Sequence, residues 1–381
     1  MLSLGRLDQV SSRITILTGI FPPDIGGPAT SVPELAAELE RQGREVAVVA
    51  LANDPSADHA LSEPYDVIRV ARRLPRLRRA AEVVRAVRRT NADVVLANGL
   101  HIESAFLAGL PVVQKIVGDW AWERSQNNGW SLVEVERFQV ARLPPKARAV
   151  RLLRTKTTRR ARLVIVPSRY VGRLVTAWGF PGARIRVVPN AAPRPAASSM
   201  ARLPRVLFAG RLVRWKHVDH VIRVLPALPD LTLDVIGTGP ELSNLRALSG
   251  SLRLENRVVF HGALPKDEVV ARMAQSACLV LPSSYEGMPH VVLEAFSRGL
   301  PVVASDRGGT PEIVENEVSG LLYRWGRLPA LREALRTVTD PPVANRLAEG
   351  GAAVATRLTV ETSALETVRV LTEAVTDGRS G

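Results

Sequence analysis

The sequence predicts an α/β protein built from two doubly wound, parallel-sheet domains. Two observations support this prediction. Short, apolar, β-branched runs alternate with helical segments, and the alternation begins again after a stretch rich in Pro, Ala and Ser at 185–204. Such alternation is typical of parallel sheets that helices cover on both faces. The 381 residues also suffice for two cores, because domains of roughly 100 to 200 residues are the norm.

Six runs in the first half have the length and composition of buried strands, since each is short, apolar and bounded by turn residues. They lie at 13–20, 44–51, 65–71, 92–99, 111–118 and 162–168. Between the first two runs, SVPELAAELERQG has a helical pattern and ends at Gly43, as a helix C-terminus would. The first half therefore predicts one parallel sheet.

Six further runs follow the 185–204 stretch and predict a second sheet: PRVLFAGR, LTLDVIGTG, RVVFHGA, ACLVLPS, LPVVASD and GLLYRW. Segment 343–377 is helical in character and contains no strand pattern. We therefore expect an N-terminal domain over 1–190, a second domain over 191–355 and a terminal helical segment over 356–381.

The composition excludes several classes of protein. With 46% hydrophobic, 23% charged and 4% aromatic residues, the chain is neither disordered nor collagen-like nor a disulfide-stapled mini-protein. Its single cysteine, Cys278, lies in the apolar run ACLVLP, which favours a buried core thiol over a reactive nucleophile. The absence of a disulfide pair fits a reducing cytoplasm.

No targeting or membrane-spanning segment is visible. The N-terminus, MLSLGRLDQVSSR, lacks the apolar run of a secretory signal, and Asp8 interrupts it. No stretch approaches the roughly 20 apolar residues that span a bilayer. We expect a cytoplasmic protein, either soluble or bound peripherally at the inner face of the membrane.

The net charge of +14 is concentrated in two segments. Residues 67–90 hold nine arginines and one acid, and residues 137–162 hold eight Arg and two Lys without an acid. The rest of the chain sums to −4. These segments are either solvated helix faces or surfaces for anionic lipid or nucleic acid.

The pattern within the basic segments favours lipid over nucleic acid. Leu77, Ala81, Val84 and Val87 recur at helical spacing beneath the arginines, as in helices that lie on a membrane surface. Aromatic residues are scarce, with Phe138 alone in the second segment and none in the first. A base-stacking platform is therefore not expected.

Candidate binding residues follow the predicted strands, since ligands of open α/β sheets bind beyond the carboxyl ends of the strands. Gly26 and Gly27 follow the first strand and precede a helix that Pro28 opens. Paired glycines there let backbone amides approach an anion, which the helix dipole also favours. A plain strand–helix turn explains the same pattern equally well.

Charged residues follow the strands of the second half. Arg211 and Lys216 form a pair of cations able to grip a diphosphate and stabilise its charge as it leaves, although an exposed basic turn is the alternative. Glu286 follows another strand, and Glu294 lies eight positions later within a largely apolar helix. Carboxylates accept hydrogen bonds from vicinal hydroxyls, so a sugar or a ribose is a natural partner.

A second glycine pair, Gly308 and Gly309, follows the strand LPVVASD and precedes a helix predicted to begin at Pro311 and Glu312. This arrangement is another amide-rich cradle for an anion.

Taken in order and spacing, these motifs resemble those of the retaining family 4 glycosyltransferases, which have the GT-B fold. The matching stretches are GGPAT, GRLVRWKHVD, VIGTGPE, VVFHGALPKDEVVARMAQSACLVLPSSYEGMPHVVLEA and GLPVVASDRGGTPEIVENEVSGLL. The match is nearly continuous over 205–322 and looser over 13–190. The resemblance implies two Rossmann-like domains that face each other across a cleft, with the terminal helix returning to the N-terminal, acceptor-binding domain.

The resemblance also implies a role for each candidate residue. Arg211 and Lys216 match the family's diphosphate-binding cations. Glu286 matches the glutamate that faces the donor sugar, and Glu294 matches the one that holds the nucleotide ribose. Gly26 and Gly27 match the loop that closes over the phosphates, and Gly308 and Gly309 are included among the donor-binding residues.

One departure concerns the fifth strand, after which many relatives carry a His-Gly pair near the donor sugar. Here the sequence reads IVGDWAWE, with Val117 in place of the histidine. Asp119 is a candidate replacement, Trp120 and Trp122 either stack on a sugar or belong to the core, and His101 is a candidate near the acceptor.

The implied reaction is a retaining transfer of a hexosyl group from a nucleotide-diphosphate sugar to a hydroxyl acceptor, which is a glycan, a lipid-linked group or a small glycoside. We expect no cofactor beyond the donor, and no metal, because no Asp-any-Asp pair or His/Cys cluster with metal spacing is visible. The alternative function is a non-catalytic nucleotide-sugar-binding or membrane scaffold protein of the same fold. A dinucleotide oxidoreductase is disfavoured because VIGTGPEL has only two of the three required glycines.

Overall fold

The structure, a computed structural model, describes residues 13–24, 26–55, 63–196 and 202–376. Three predictions fall partly outside these residues: the lack of a secretory signal at the N-terminus, the stretch rich in Pro, Ala and Ser at 185–204, and the end of the terminal segment. The chain divides into unit 1 (Met1–Pro189 and Val360–Gly381) and unit 2 (Asn190–Thr359). Each unit contains one parallel sheet, which confirms the predicted fold class.

Unit 1 is built on a seven-stranded parallel sheet of order β3-β2-β1-β4-β5-β6-β7. Its strands are β1 (Ile14–Thr18), β2 (Val46–Ala52), β3 (Asp66–Ala71), β4 (Val94–Asn98), β5 (Val112–Lys115), β6 (Leu163–Val166) and β7 (Ile185–Val187). Its helices are α1 (Gly27–Arg41), α2 (Arg76–Arg89), α3 (His101–Ser104), α4 (Trp120–Asn127), α5 (Val135–Val140), α6 (Pro145–Thr158), α7 (Arg169–Ala177) and α14 (Val360–Thr376).

The two faces of this sheet pack against different helices, because successive side chains of a strand point in opposite directions. Val113 of β5 belongs to the cluster that contains the apolar side chains of α1 and α14. Its neighbour Val112 belongs to the cluster on the opposite face, with α2. Gln114 points the same way as Val112 and donates to Ser104 of α3 and to the carbonyl of Thr157 of α6.

Unit 2 is built on a six-stranded parallel sheet of order β10-β9-β8-β11-β12-β13. Its strands are β8 (Arg205–Ala209), β9 (Thr232–Ile236), β10 (Val258–Gly262), β11 (Cys278–Leu281), β12 (Val302–Ser305) and β13 (Leu321–Tyr323). Its helices are α8 (Val218–Val224), α9 (Leu242–Ser251), α10 (Lys266–Gln275), α11 (His290–Phe296), α12 (Leu328–Thr337) and α13 (Pro341–Arg357).

All twelve predicted strand runs form strands, and two details differ from the sequence prediction. The start of the stretch 185–204, for which no strand was predicted, forms β7, a three-residue strand that pairs with β6 at the edge of the sheet. Such a strand is too short for its own residue pattern to reveal it. The helix expected at Pro311 is a single 3₁₀ turn, Thr310–Glu312, followed directly by irregular chain.

The remaining expectations about the chain concern Cys278 and the membrane. Cys278 is fully buried in β11, and burial raises the pKa of its thiol to about 12, as expected for a core residue. Among the described residues, no helix combines the length and the hydropathy that crossing a bilayer requires.

Candidate functional site

The central strands of unit 2 place two loops side by side. The strand order reverses between β8 and β11, because the chain passes from β8 outward through β9 and β10 and then returns to β11 on the other side of β8. Ligands of open α/β sheets bind in the crevice at such a reversal. The loop after β8 carries Arg211 and Lys216, and the loop after β11 carries Glu286.

Side chains from these two loops meet. Lys216 Nζ lies 2.5 Å from Glu286 Oε1, although the two residues are 70 positions apart in the chain. The side chains are 17% and 11% exposed, so this charge pair is screened from most of the solvent while it still borders on it. A backbone hydrogen bond of 2.8 Å from the Ser284 amide to the Trp215 carbonyl joins the same two loops.

The loop after β12 supports Glu286 from the other side. The Gly309 amide donates to the Glu286 carbonyl at 2.8 Å. Gly308 has a φ of +68°, and a Cβ there would lie 2.7 Å from the Glu286 nitrogen and closer still to its carbonyl oxygen. Glycine is therefore required at this position both for its backbone conformation and for the close approach of the two loops.

Arg211 and Glu294 occupy the elements that the sequence predicts. Arg211 lies exposed in the loop directly after β8, and Glu294 lies half-buried in α11, whose first residue is His290. The structure thus brings Lys216, Glu286, Gly308 and Gly309 into one constellation. The role of each of these residues toward a ligand stays a prediction.

In unit 1, the loops after β1 and β4 also meet where the strand order reverses. A Cβ on Gly99 would lie 3.6 Å from the Gly19 nitrogen, so the two loops touch through glycine. Gly26 stands at the N-cap of α1 with a φ of +152°, and Gly27 begins the helix. The first turn of α1 contains no acid, and no side chain caps it. Pro28 has no amide hydrogen and the Ala29 amide donates to the Gly26 carbonyl at 3.0 Å, so Gly27 is the residue of this turn whose amide is left for an anion.

His101 begins α3, directly after the loop that follows β4. The residue is half-buried, while its Nδ1 atom is buried and lacks a hydrogen-bond partner among the described residues. Burial lowers the pKa of His101 to about 4, so the ring is neutral near pH 7. Its contact with an acceptor stays a prediction.

The structure assigns Asp119 a different role from the predicted sugar contact. Its side chain is fully buried and caps α4 by accepting from the Ala121 and Trp122 amides at 3.1 Å. The other carboxylate oxygen pairs with Arg154 Nη1 at 2.5 Å and accepts from Gln139 at 2.9 Å. Since both oxygens are occupied within unit 1, Asp119 holds α4 and α6 together and does not stand in for a sugar-binding histidine.

The two tryptophans near Asp119 were predicted either to stack on a sugar or to belong to the core, and they differ in burial. Trp122 is 3% exposed and donates from Nε1 to the Val133 carbonyl at 2.8 Å, so it belongs to the core. Trp120 is half-buried at the start of α4, and Val117 is 47% exposed in the loop before it.

Many of the basic side chains have internal partners, which modifies the picture of two charged surfaces. In the second segment, Arg154 is 2% exposed, and Arg151 donates to three carbonyls of α5 and its C-terminal turn. In the first segment, Arg79 pairs with Glu103 at 2.7 Å, and Arg72 pairs with Asp24. The helix α2 nevertheless keeps exposed arginines along its length: Arg76, Arg78, Arg85, Arg88 and Arg89.

One cluster escaped the sequence analysis, which noted no His/Cys cluster with metal spacing. Among the described residues, His217, Asp219 and His220 each bring a potential ligand atom within 4.8 Å of the others. The two imidazole rings stack at 4.7 Å, and the Trp325 ring meets His217 edge-on at 5.2 Å. The cluster borders a cavity of about 510 Å³ beside α8 and α9, which neither Lys216 nor Glu286 lines.

A second residue that sequence analysis passed over is Lys115, the last residue of β5. It lies within the apolar run 111–118, where only its charge distinguishes it from the residues of a buried strand. Lys115 is 9% exposed, and burial lowers the pKa of its ammonium group to about 8.

Two protein families match this chain in succession. Residues 26–191 match the glycosyl transferase 4-like domain, and residues 197–353 match the family described as glycosyl transferases group 1. The two matches correspond closely to the parts of units 1 and 2 that carry the candidate residues.

Curated relatives match parts of the chain or nearly all of it. A GDP-mannose-dependent α-(1-6)-phosphatidylinositol monomannoside mannosyltransferase of Mycolicibacterium smegmatis is 30% identical over 56% of this chain and 59% of its own length. The chain thus spans less than two thirds of that relative. A GDP-mannose-dependent monoacylated α-(1-6)-phosphatidylinositol monomannoside mannosyltransferase of Corynebacterium glutamicum is 26% identical over 90% of this chain and 93% of its own length.

Among solved structures, HepE from Anabaena in complex with UDP and glucose superposes with a TM-score of 0.77 at 21% identity. The superposition covers 95% of this chain and 100% of HepE. At this identity the likeness establishes the fold.

Proposed function

Because residues 26–191 match the glycosyl transferase 4-like domain, residues 197–353 match glycosyl transferases group 1 and the chain has the GT-B fold, we propose that it transfers a hexosyl group from a nucleotide-diphosphate sugar to a hydroxyl acceptor. The proposed transfer retains the configuration at the anomeric carbon and uses no metal. The observation on which this proposal rests is the contact between Lys216 and Glu286 at the strand-order reversal of unit 2.

This contact supports the proposal, because its two groups are complementary to the two parts of a sugar diphosphate. Its phosphates require cations, which Lys216 and Arg211 of the same loop supply, and its sugar hydroxyls require acceptors, which the Glu286 carboxylate supplies. Without donor the two charges neutralise each other at 2.5 Å. With donor bound, Lys216 exchanges the carboxylate for a phosphate oxygen and leaves Glu286 to orient the sugar.

The reaction then needs little covalent participation by the protein. The bond between the anomeric carbon and the diphosphate oxygen breaks, and the acceptor oxygen forms a bond to the same face of that carbon. The acceptor proton passes to the departing diphosphate. Arg211 and Lys216 stabilise the negative charge that develops on the leaving group, and Glu286 and Glu294 hold the donor in position.

The substitution Glu286→Gln tests this assignment. The amide keeps the size of the side chain but loses the negative charge, so we expect turnover to fall by about 10² to 10³-fold. The matched control is Glu268→Gln, which changes an exposed glutamate in the first turn of α10. Release of nucleotide diphosphate from a donor and acceptor mixture is measured, and unchanged turnover in Glu286→Gln would contradict the proposal.

The proposed retention of configuration at the anomeric carbon is tested by a separate measurement. The anomeric configuration of the product, read from its proton coupling constants, should equal that of the donor. A product of inverted configuration would still support a glycosyltransferase, but it would contradict the retaining mechanism. Full turnover after treatment with EDTA is expected for a reaction that uses no metal.

The donor can be narrowed by a binding screen. The mannosyltransferase relatives are described as GDP-mannose-dependent, and HepE was solved with UDP and glucose. We therefore propose to compare UDP- and GDP-linked hexoses by the rise in melting temperature that each produces, because at equal concentration a ligand that binds only the folded state stabilises it more the more tightly it binds. Stabilisation without any turnover would instead favour a nucleotide-sugar-binding protein.

We further propose that α2 docks reversibly on anionic lipid at the cytoplasmic face of a membrane. Its apolar side chains divide: Ala80, Val83, Ala86 and Val87 are buried, whereas Leu77 is 79% exposed beside the exposed arginines. An exposed leucine among cations suits the interface between lipid headgroups and acyl chains. This proposal concerns where the reaction takes place and does not identify the acceptor.

Sedimentation with vesicles tests the docking. The double substitution Arg76→Glu and Arg78→Glu should abolish binding to vesicles that contain anionic lipid at low salt, while Arg332→Glu, on an exposed position of α12, should not. Wild-type protein that fails to sediment with anionic vesicles would refute the docking proposal and leave the transferase assignment unaffected.

A further inference from the structure

Lys115 is a charged residue for which the fold provides no partner. It is 9% exposed, and although its backbone pairs with β6, no described residue forms a hydrogen bond or an ion pair with its ammonium group. A buried, unpaired ammonium group costs free energy, and buried charges in proteins are therefore normally paired. A residue that keeps such a charge in a strand is a candidate for binding something that the chain itself does not supply.

The position of Lys115 identifies where that ligand would lie. Lys115 is the last residue of β5, at the carboxyl edge of the unit 1 sheet. Because side chains alternate along a strand, Lys115 shares a face with Val113, which packs in the cluster formed with α1 and α14. This is the face opposite to the one on which Gln114 contacts α3 and α6.

The N-terminus of α1 lies at the same edge and on the same face. This helix follows β1, which is separated from β5 by β4 alone, and it has 15 residues. It begins with Gly26 and Gly27 and has neither an acid in its first turn nor a capping side chain. The positive end of the helix dipole and a cationic side chain thus share one edge of the sheet, and both favour an anion.

We propose that Lys115, together with the Gly27 amide at the N-terminus of α1, binds a phosphate group of a substrate. This inference rests on the proposed function, because the phosphate is that of the nucleotide-diphosphate donor or of a phosphorylated acceptor. The bound anion offsets the free-energy cost of burying the ammonium group. This offset explains why β5, whose other residues are buried in the core, ends in a lysine.

The proton equilibrium of Lys115 provides a specific readout. Burial is the cause of the lowered pKa of about 8, and no charged group of a neighbouring strand or helix contributes to the shift. A phosphate beside the ammonium group favours the protonated form and raises this pKa. Binding at pH 8.5 should therefore take up protons, which calorimetry detects as a heat that depends on the ionisation enthalpy of the buffer.

The test compares the full-length wild type with Lys115→Met, which keeps the length of the side chain and removes its charge. UDP and GDP probe the donor source, and glycerol phosphate added at saturating nucleotide probes the acceptor source. We expect the dissociation constant of one probe to rise at least 10-fold and its proton uptake to vanish. Lys115→Arg should restore part of the affinity, and Lys146→Met, on the exposed surface of α6, should match the wild type.

The outcomes separate the two sources and the two proposals. A loss confined to UDP or GDP assigns Lys115 to the donor phosphates, and a loss confined to glycerol phosphate assigns it to the acceptor. If the wild type binds its probes and Lys115→Met binds them equally well, the inference is overturned while the proposed function stands. A wild type that binds no nucleotide would instead remove the proposed function.

The melting temperature provides a control, because a purely structural role of Lys115 predicts the opposite change. Replacing an unpaired buried charge by an apolar side chain should raise the melting temperature at pH 7, because the cost of burying the ammonium group is removed. Between pH 8 and 10.5 the unfolded chain holds a proton on Lys115 that the folded chain has released, so stability should rise with pH in this window in the wild type and less so in Lys115→Met. A lower melting temperature in Lys115→Met at pH 7 would contradict the inference.

Discussion

At the scale of single residues, the candidate site of unit 2 depends on the close approach of two loops at Gly308. This glycine combines a left-handed backbone with a position against the Glu286 backbone, and Glu286 in turn contacts Lys216. The residue that faces the proposed sugar is thus positioned through its backbone, which packs against a glycine.

The substitution Gly308→Ala should separate the loops. The added methyl group would meet the Glu286 backbone, so we expect a loss of about 1 to 3 kcal/mol in the free energy of unfolding and a fall in turnover of at least 10-fold. Gly326→Ala is the matched control, because Gly326 has a φ of +78° but no atom within 4 Å of an added Cβ. Equal turnover in the two variants would show that backbone strain, and not the contact with Glu286, matters.

Sequence alone predicted Arg211, Lys216, Glu286 and the glycine pair, because each lies in a loop that follows an apolar strand, in a recognisable order. Asp119 was assigned to a sugar contact because it follows β5 in the same way. Its true partner, Arg154, lies 35 positions further along the chain, and no local pattern connects the two residues. Lys115 was missed because a lysine at the end of a strand is usually exposed, and its burial is visible only in the structure.

At the scale of elements, the Asp119–Arg154 contact joins the start of α4 to α6. Arg154 is 2% exposed, and its guanidinium also lies over the Trp178 ring at 4.1 Å. The basic segment that contains it therefore contributes to the interior of unit 1 as well as to its surface. Counting charges along a sequence cannot distinguish these two uses of arginine.

Breaking this pair should destabilise unit 1. Arg154→Met leaves a buried carboxylate without its cation, and we expect the free energy of unfolding to fall by about 3 kcal/mol, since removing one partner of a buried pair typically costs 3 to 5 kcal/mol while the amide and Gln139 contacts to Asp119 remain. Urea denaturation measures the change. The double variant Asp119→Asn, Arg154→Met should recover part of the loss, and strict additivity of the two changes would argue against a direct coupling.

Among the elements, the strands were predicted most completely, because a strand buried on both faces is apolar throughout and needs no partner to be recognised. The three-residue β7 was missed, and a 3₁₀ turn took the place of the helix predicted after Gly309. In both places only a few residues are involved, and contacts with neighbouring elements decide the local conformation.

At the scale of the whole molecule, the chain crosses from unit 1 to unit 2 near residue 190 and returns to unit 1 at Val360. The returning helix α14 supplies buried side chains to the unit 1 core, including Val368, Leu371 and Val375. Unit 1 is therefore assembled from two segments that lie far apart in the sequence, and its core is complete only after the last helix has been added.

Truncation after Thr359 should consequently unfold unit 1. Val368, Val370, Leu371 and Val375 of α14 are buried. At roughly 1.5 to 3 kcal/mol for each side chain, their loss is comparable to a typical domain stability of roughly 5 to 15 kcal/mol. Truncation after Thr376, which removes only 377–381, is the control. Far-UV circular dichroism and the melting profile would show the loss, and a cooperative unit 1 transition in the shorter chain would disprove the role of α14.

The sequence by itself determined the fold class, the two sheets and the identity of most candidate residues, because strand burial and loop position are local properties written in short runs of residues. Only the tertiary structure decided that Asp119 serves the interior, that Lys115 is buried without a partner and that Lys216 reaches Glu286. These facts depend on which distant side chains the fold brings within a few ångströms, and the energy of a charge depends on that neighbourhood more than on its place in the chain.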